Sequence, residues 1–177
     1  MRTLKYAILG LLSQKNMTGY DIYKAFEGTI GNFWSAKHSQ IYPELKKLTQ
    51  EKLITYDISI TGEVLEKKVY TLTAEGKAEL NDWLNQDEPM EATAKDVFRL
   101  RMFFCKDLSP ERTLVLLESQ IQQHQDRLEY LLETNTQFDH EPKAEELGDF
   151  LVLQGAIGRE KAYLDWLNNC LPYFKKS

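Results

Sequence analysis

The chain has 177 residues, enough for one sizeable domain or two small ones, and its 42% apolar and 28% charged residues suit a globular protein with a buried core. Its net charge of −5 speaks against a uniformly basic nucleic-acid binder, but residues 1–85 hold 11 Lys/Arg against 10 Asp/Glu and residues 86–177 hold 11 against 17, so the acid sits in the second half. The apolar run from Ala7 to Leu12 is too short to span a membrane and precedes no small-residue cleavage site, which predicts a cytoplasmic chain, and Cys105 and Cys170 read as unpaired, buried thiols.

Leu4, Ala7, Ile8, Leu11 and Leu12 repeat at helical spacing and predict a helix over residues 3–14. Thr18, with Asp21 three residues on, starts a second helix whose apolar face is Ile22, Ala25, Phe26 and Ile30. Gly28 and Gly31 weaken its end, and residues 32–37 read as a turn with Phe33 and Trp34 tucked inward. A third helix covers Ser39 to Glu51, with Ile41, Leu45 and Leu48 inside, Gln40, Lys46, Lys47 and Gln50 outside, and Pro43 near the first turn.

The period then changes. Ile54, Tyr56, Ile58 and Ile60 alternate with polar residues as in a half-buried strand, Thr61-Gly62-Glu63 is a turn, and Leu65 to Leu72 is a second strand. Thr73 caps a helix from Ala74 to about Asn85. Three helices, a hairpin and a helix within 90 residues make a winged helix. A lone hairpin is marginal in water and must pack on those helices.

Residues 86–92, with Pro89, read as a hinge, and the rest is helical. Thr93 caps a helix through Cys105; Ser109-Pro110-Glu111 starts one that runs to about Thr134; a polar loop covers residues 135–142; the last helix spans about Lys143 to Asn169. The fold class is therefore mainly α: a winged helix-turn-helix domain over residues 1–85 with a two-stranded wing, then an all-helical domain over residues 93–177.

The helix from Ser39 has the make-up of one that enters a major groove. Ser39, Gln40 and Tyr42 are short polar readers near its start, Lys37, Lys46 and Lys47 are cations for phosphates, and the apolar rear fixes its pose. Lys67 and Lys68, just past the hairpin tip, would graze a DNA backbone; an ordinary amphipathic helix and a solvated edge strand are the plain alternatives. In the last helix Phe150, Ile157, Leu164 and Leu171 recur every seven residues with Leu153 and Leu167 between them, and Leu114, Ile121 and Leu128 do the same with Leu117 and Leu131. These seams predict a dimer, with an intramolecular antiparallel hairpin as the simpler arrangement. His124 and Glu160 interrupt them, which is expected at an exposed, splayed stretch. Gly155 and Gly158 either admit a close helix approach or weaken the helix. His38, His124 and His140 lack metal-ligand spacing, neither cysteine has an evident base, and there is no glycine-rich phosphate loop, so no enzyme, metal or cofactor is expected.

Residues 4–12, Leu-Lys-Tyr-Ala-Ile-Leu-Gly-Leu-Leu, resemble the opening of PadR-family transcriptional regulators, as do Thr18-Gly19-Tyr20-Asp21-Ile22, the run from Phe33 to Leu48 and the run from Leu65 to Thr73. The likeness continues through Trp83-Leu84 and, more thinly, through Phe150-Leu151-Val152-Leu153 and Trp166-Leu167; residues 106–147 match poorly. The resemblance implies a repressor that binds double-stranded operator DNA as a homodimer, pairs through its C-terminal helices, controls phenolic acid decarboxylase expression and is released by hydroxycinnamic acids such as p-coumaric or ferulic acid. It also sets Tyr20 toward the operator, beside Ser39, Gln40, Tyr42 and Lys46. Such an effector needs an apolar slot with a cation or a few donors, and the junction of the two domains offers Tyr6, Phe33, Phe98, Arg99, Arg101, Phe103 and Gln154. A winged-helix regulator of other genes with another small apolar effector, and a protein-interaction adaptor, are the competing readings.

Overall fold

In the computed structural model of the chain, residues 2–28, 30–32, 34, 36–61, 65–90, 95–138 and 142–175 are described. The chain forms two compact units, Met1–Met90 and Glu91–Ser177.

The first unit opens with α1 (Thr3–Gln14), where the predicted helix lies. A two-residue strand, β1 (Met17–Thr18), leads into α2 (Gly19–Glu27). Thr18 caps α2 as its composition predicts: its hydroxyl accepts from Asp21 N–H, while the Asp21 carboxylate accepts from Thr18 N–H. Those bonds, from the Thr18 side chain first and its backbone second, hold the Asp21 carboxyl below its ordinary range. A 3-10 turn (Ile30–Asn32) follows. Trp34, expected inside, is 39% exposed, and Phe33 lies outside the described residues. Next comes α3 (His38–Gln50), which starts one residue earlier than its composition suggests and carries Pro43 as its sixth residue, in the second turn.

Lys52, with φ 60°, turns the chain into β2 (Ile54–Thr61), which pairs with β3 (Leu65–Leu72). The hairpin tip, residues 62–64, lies outside the described residues. The sheet has three strands, not two, in the order β1-β3-β2, because Met17 and Thr18 pair with Tyr70 and Val69. The alternation in β2 buries only its base: Ile54 is buried and Tyr56 half-buried, but Ile58 is 57% exposed. α4 (Ala74–Leu84) closes the unit, capped by Thr73, whose hydroxyl accepts from Gly76 N–H and donates to the carbonyls of Lys52 and Leu53. Ile8, Leu9, Ile22, Ile41, Leu45 and Leu48 are the fully buried centre of this unit.

The first helix of the second unit begins later than its sequence suggests. α5 (Val97–Phe103) is capped by Asp96 rather than Thr93, and a 3-10 turn (Cys105–Asp107) takes the place of its last residues. Thr93 itself is not among the described residues. α6 (Pro110–Asn135) starts at the Ser109 cap as read. α7 (Leu147–Cys170) begins four residues after Lys143, since Lys143 to Glu146 form a turn, and a 3-10 turn (Leu171–Tyr173) holds Pro172. α6 and α7 run antiparallel, with Phe138 on Phe150, Asn135 on Gln154 and His124 on Glu160. The heptad seams thus close within the chain: Leu153, Ile157, Leu164 and Leu167 are buried, as are Leu117 and Leu131 opposite. A Cβ at Gly155 or Gly158 would meet nothing within 4 Å, so neither glycine serves a close approach within the chain. No described helix is long and apolar enough to cross a membrane.

Candidate nucleic-acid interface

Three lysines of the first unit, Lys46, Lys67 and Lys68, meet along one cleft of about 890 Å³ between α3 and the hairpin. Tyr42, Lys46 and Gln50 line it from α3, Tyr56, Lys67 and Lys68 from the strands, and Gly19 and Tyr20 from the start of α2. Two local patterns bring them together. In α3 the buried Ile41, Leu45 and Leu48 turn Tyr42, Lys46 and Lys47 outward. In β3 alternation sets Tyr70 into the core and Lys68 beside it at the rim, where its ammonium lies 4.1 Å from the Tyr56 ring centroid. Tyr56 in turn meets Tyr70 edge-on at 5.7 Å. The wing lysine thus lies over an aromatic face, a cation–π contact that leaves its charge in place.

Tyr20 is 59% exposed and Tyr42 41%; Lys37, Ser39, Gln40, Lys46, Lys47, Lys67 and Lys68 are all exposed. Gln40 has a second duty, since its Oε1 accepts from Lys37 N–H at 2.9 Å and caps α3. His38, at the start of the same helix, lies 4.6 Å from the Tyr42 ring and 5.3 Å from the Tyr23 ring. Composition gave no hint of that aromatic support.

The rear of α3 carries a feature the apolar spacing hides. Glu44 is buried on the face of Ile41, Leu45 and Leu48, and the Arg2 guanidinium bonds to both Glu44 and Glu51. Arg2 is held in its charged form by Glu51 and Glu44, and Arg2 depresses the Glu51 carboxyl. The signal in the sequence was an acid in an otherwise apolar stripe, which burial obliges to find a cation.

The candidate effector residues belong to both units and are taken unit by unit. Tyr6, in the first unit, stacks on Trp83 at 4.6 Å and donates to Glu79 at 3.2 Å. Phe33 lies outside the described residues. In the second unit Phe98 packs edge-on to Trp166 at 6.2 Å, Arg101 is exposed, and Gln154 donates to Asn135 at 2.6 Å.

The polar interruptions of the seam are a joined set, not an exposed stretch. Glu160 is buried, His124 Nδ1 is within hydrogen-bonding distance of its carboxylate, and the His124 ring stacks on Tyr163 at 4.1 Å. Tyr163 donates to Asp96 at 2.7 Å, and the Arg99 guanidinium lies 5.0 Å from the Tyr163 centroid and 5.3 Å from that of Trp166. Burial, with Asp96 next, pushes the Tyr163 phenol up to about 12. Burial works against the Asp96 charge, but donors from Arg99 N–H and Tyr163 outweigh it and lower its pKa. Cys105 and Cys170 are unpaired and half-buried, and both line an apolar cavity of about 390 Å³ with Arg99, Phe103 and Trp166. Among the described residues no group of three or more His, Cys, Asp or Glu side chains is placed to hold a metal ion.

Residues 8–82 match the family described as the Transcriptional regulator PadR-like family, and residues 94–175 match the one described as Virulence activator alpha C-term. The chain is 46% identical over 99% of its length, and 100% of the relative's, to the negative transcriptional regulator PadR of Bacillus subtilis strain 168. It belongs to the PadR-like family of transcriptional regulators. Among solved structures it is similar to B. subtilis PadR in complex with operator DNA (TM-score 0.93, 45% identity, 98% of this chain and 99% of that one). It is also similar to B. subtilis PadR in complex with p-coumaric acid (TM-score 0.87, 42% identity, 98% and 99%). The PadR-like relatives are regulators, not enzymes. The winged-helix class with a helical C-terminal region follows from those fold matches as well as from the elements themselves.

Proposed function

We propose that this chain is a transcriptional repressor that binds operator DNA as a homodimer in the cytoplasm and is released by a phenolic acid of the p-coumaric or ferulic type. The observation that carries the proposal is the cleft between α3 and the hairpin, whose cations Lys46, Lys67 and Lys68 line one open groove. Ser39, Tyr42 and the Gln40 amide would read base edges, Tyr20, Lys37 and Lys47 would flank them, and Lys67 and Lys68 would follow the adjacent backbone. Residues 1–85 would read DNA, and residues 93–177 would pair the protomers and receive the effector. The regulated gene would be a phenolic acid decarboxylase gene.

A symmetric pair must set its two α3 helices about one DNA turn apart, roughly 34 Å. The heptad residues Leu153, Ile157, Leu164 and Leu167 are covered by the chain's own helices, with Phe150 packed on Phe138. The partner surface would therefore include apolar residues left bare elsewhere on the second unit. Val97, Leu100, Phe103 and Phe104 are each more than half exposed, a patch of the kind that marks an interface. The effector contacts would be Tyr6 and Phe33 of the first unit and Phe98, Arg101 and Gln154 of the second, with the arginine meeting its carboxylate.

The test is a mobility-shift titration on the promoter segment beside the gene that encodes the chain, with and without p-coumarate. A retarded complex that p-coumarate dissolves supports the proposal. Absence of any complex with the promoter duplex overturns the DNA reading, and a complex indifferent to phenolic acids overturns the effector.

A further inference from the structure

We propose that Arg2 is a positioning residue for DNA reading: its guanidinium fixes the rotation of α3 by gripping Glu44 and Glu51 from behind. The proposal rests on the reading of α3 as the DNA-reading helix.

Arg2 is the N-cap of α1, where its carbonyl accepts from Lys5 N–H at 3.0 Å, and α1 is anchored in the core through Ile8 and Leu9. From that fixed base the side chain reaches across to α3. Nε donates to Glu44 Oε1 at 3.0 Å and Nη2 to the same oxygen; Nη1 donates to Glu51 Oε1, and Nη2 also to Glu51 Oε2 at 3.2 Å. The two acids are seven residues apart, two turns along one side of the helix, so a single planar fork spans most of its C-terminal half.

The apolar contacts of Ile41, Leu45 and Leu48 hold α3 against the core, but attraction between apolar surfaces is non-directional and lets a helix roll or slide by a fraction of a side chain. Hydrogen bonds from a guanidinium to two carboxylates weaken steeply once their angles open. They therefore set the angle at which Ser39 and Tyr42 leave the far side of the helix. Glu44 makes the device obligatory: it is buried, and Arg2 is the cation that meets it among the described residues. Arg2 also offsets negative charge on a helix that must approach phosphates. A lysine would restore the charge but not the fork, because an ammonium is a point donor.

The experiment compares the unaltered chain, Arg2→Ala and Arg2→Lys, each shown folded by circular dichroism at the working temperature, on the promoter duplex and on a random duplex of equal length. Arg2→Lys is expected to bind the random duplex as the unaltered chain does and to lose about tenfold on the promoter duplex, the size of a misplaced base contact. Arg2→Ala is expected to weaken on both. Should Arg2→Ala be unfolded, Arg2→Lys alone decides. If Arg2→Lys keeps the full ratio between promoter and random duplex, Arg2 is an ordinary ion pair and the proposal is overturned. If the unaltered chain itself shows no such ratio, the DNA reading has failed and the proposal falls with it, a result that appears without any variant.

Discussion

Two glycines show how one missing Cβ serves different ends. At Gly76 an added Cβ would stand 2.0 Å from the Leu53 carbonyl oxygen, which is backbone and which Thr73 also engages. Gly76→Ala should cost the first unit about 1–3 kcal/mol, read as a lowered midpoint in urea. At Gly19 the Cβ would instead meet the Tyr42 ring at 2.8 Å, and that ring is the mobile end of a half-exposed side chain. Gly19→Ala should leave the urea midpoint within about 0.5 kcal/mol of the parent while weakening the promoter complex several-fold, because it turns Tyr42 out of the cleft. Equal losses of stability in the two variants would defeat this distinction. Tyr163 gives a titration at the same scale. Its phenol is raised from 10.0 to about 12, so it contributes stability that is complete below pH 10 and fades as pH climbs through 12. In Tyr163→Phe the tyrosinate absorbance should lose its step near pH 12; a step that persists would assign it to another phenol. None of this network was legible residue by residue. Arg2 and Glu44 lie 42 positions apart, and Tyr163 and Asp96 lie 67 apart, distances over which local spacing carries no information.

At the scale of elements, spacing gave most of the truth. α1, α2 with its Thr18–Asp21 box, β3, α4 and the Ser109 start of α6 lie where caps and periods place them. The misses have local causes. β1 is too short to show a period, and its pairing with β3 is a tertiary event. At α5 Asp96 accepts from Arg99 N–H and so wins the cap over a threonine three residues earlier. The seams were recognised, but periodicity cannot tell a partner chain from the chain's own next helix. Within the chain α6 and α7 fold on each other, with Leu131 fully buried against Leu153, Ala156 and Ile157. Leu131→Ala should destabilise the helical unit by about 2–5 kcal/mol in chemical denaturation. A loss below about 1 kcal/mol would mean that the cluster is packed far more loosely than its burial indicates.

For the whole molecule the charge division noted at the outset acquires a physical role. A chain of net charge −5 approaches DNA only if its cations are gathered, and the cleft lysines are. Binding should therefore weaken steeply with salt. Lys46→Ala should lower affinity for promoter and random duplexes alike and shrink the slope of log K against log salt by about one phosphate's worth. An unchanged slope would move Lys46 away from the backbone. The elements that carry the cleft lysines were legible in the sequence because lysines and an apolar rear face repeat locally. The proposed effector contacts show no such repeat: they come from separate elements, and Tyr6 and Gln154 already bond to Glu79 and Asn135.

The sheet order β1-β3-β2 has a mechanical consequence. β3 is the shared middle strand, tied on one side to the outer hairpin strand and on the other to Met17 and Thr18, immediately ahead of α2. Tension applied at the lysine-bearing rim is thus delivered to Tyr20 through two rungs of backbone and one cap. Grip and release at the wing and at the helices should be a single event, felt by the double helix as one clasp rather than two fingers.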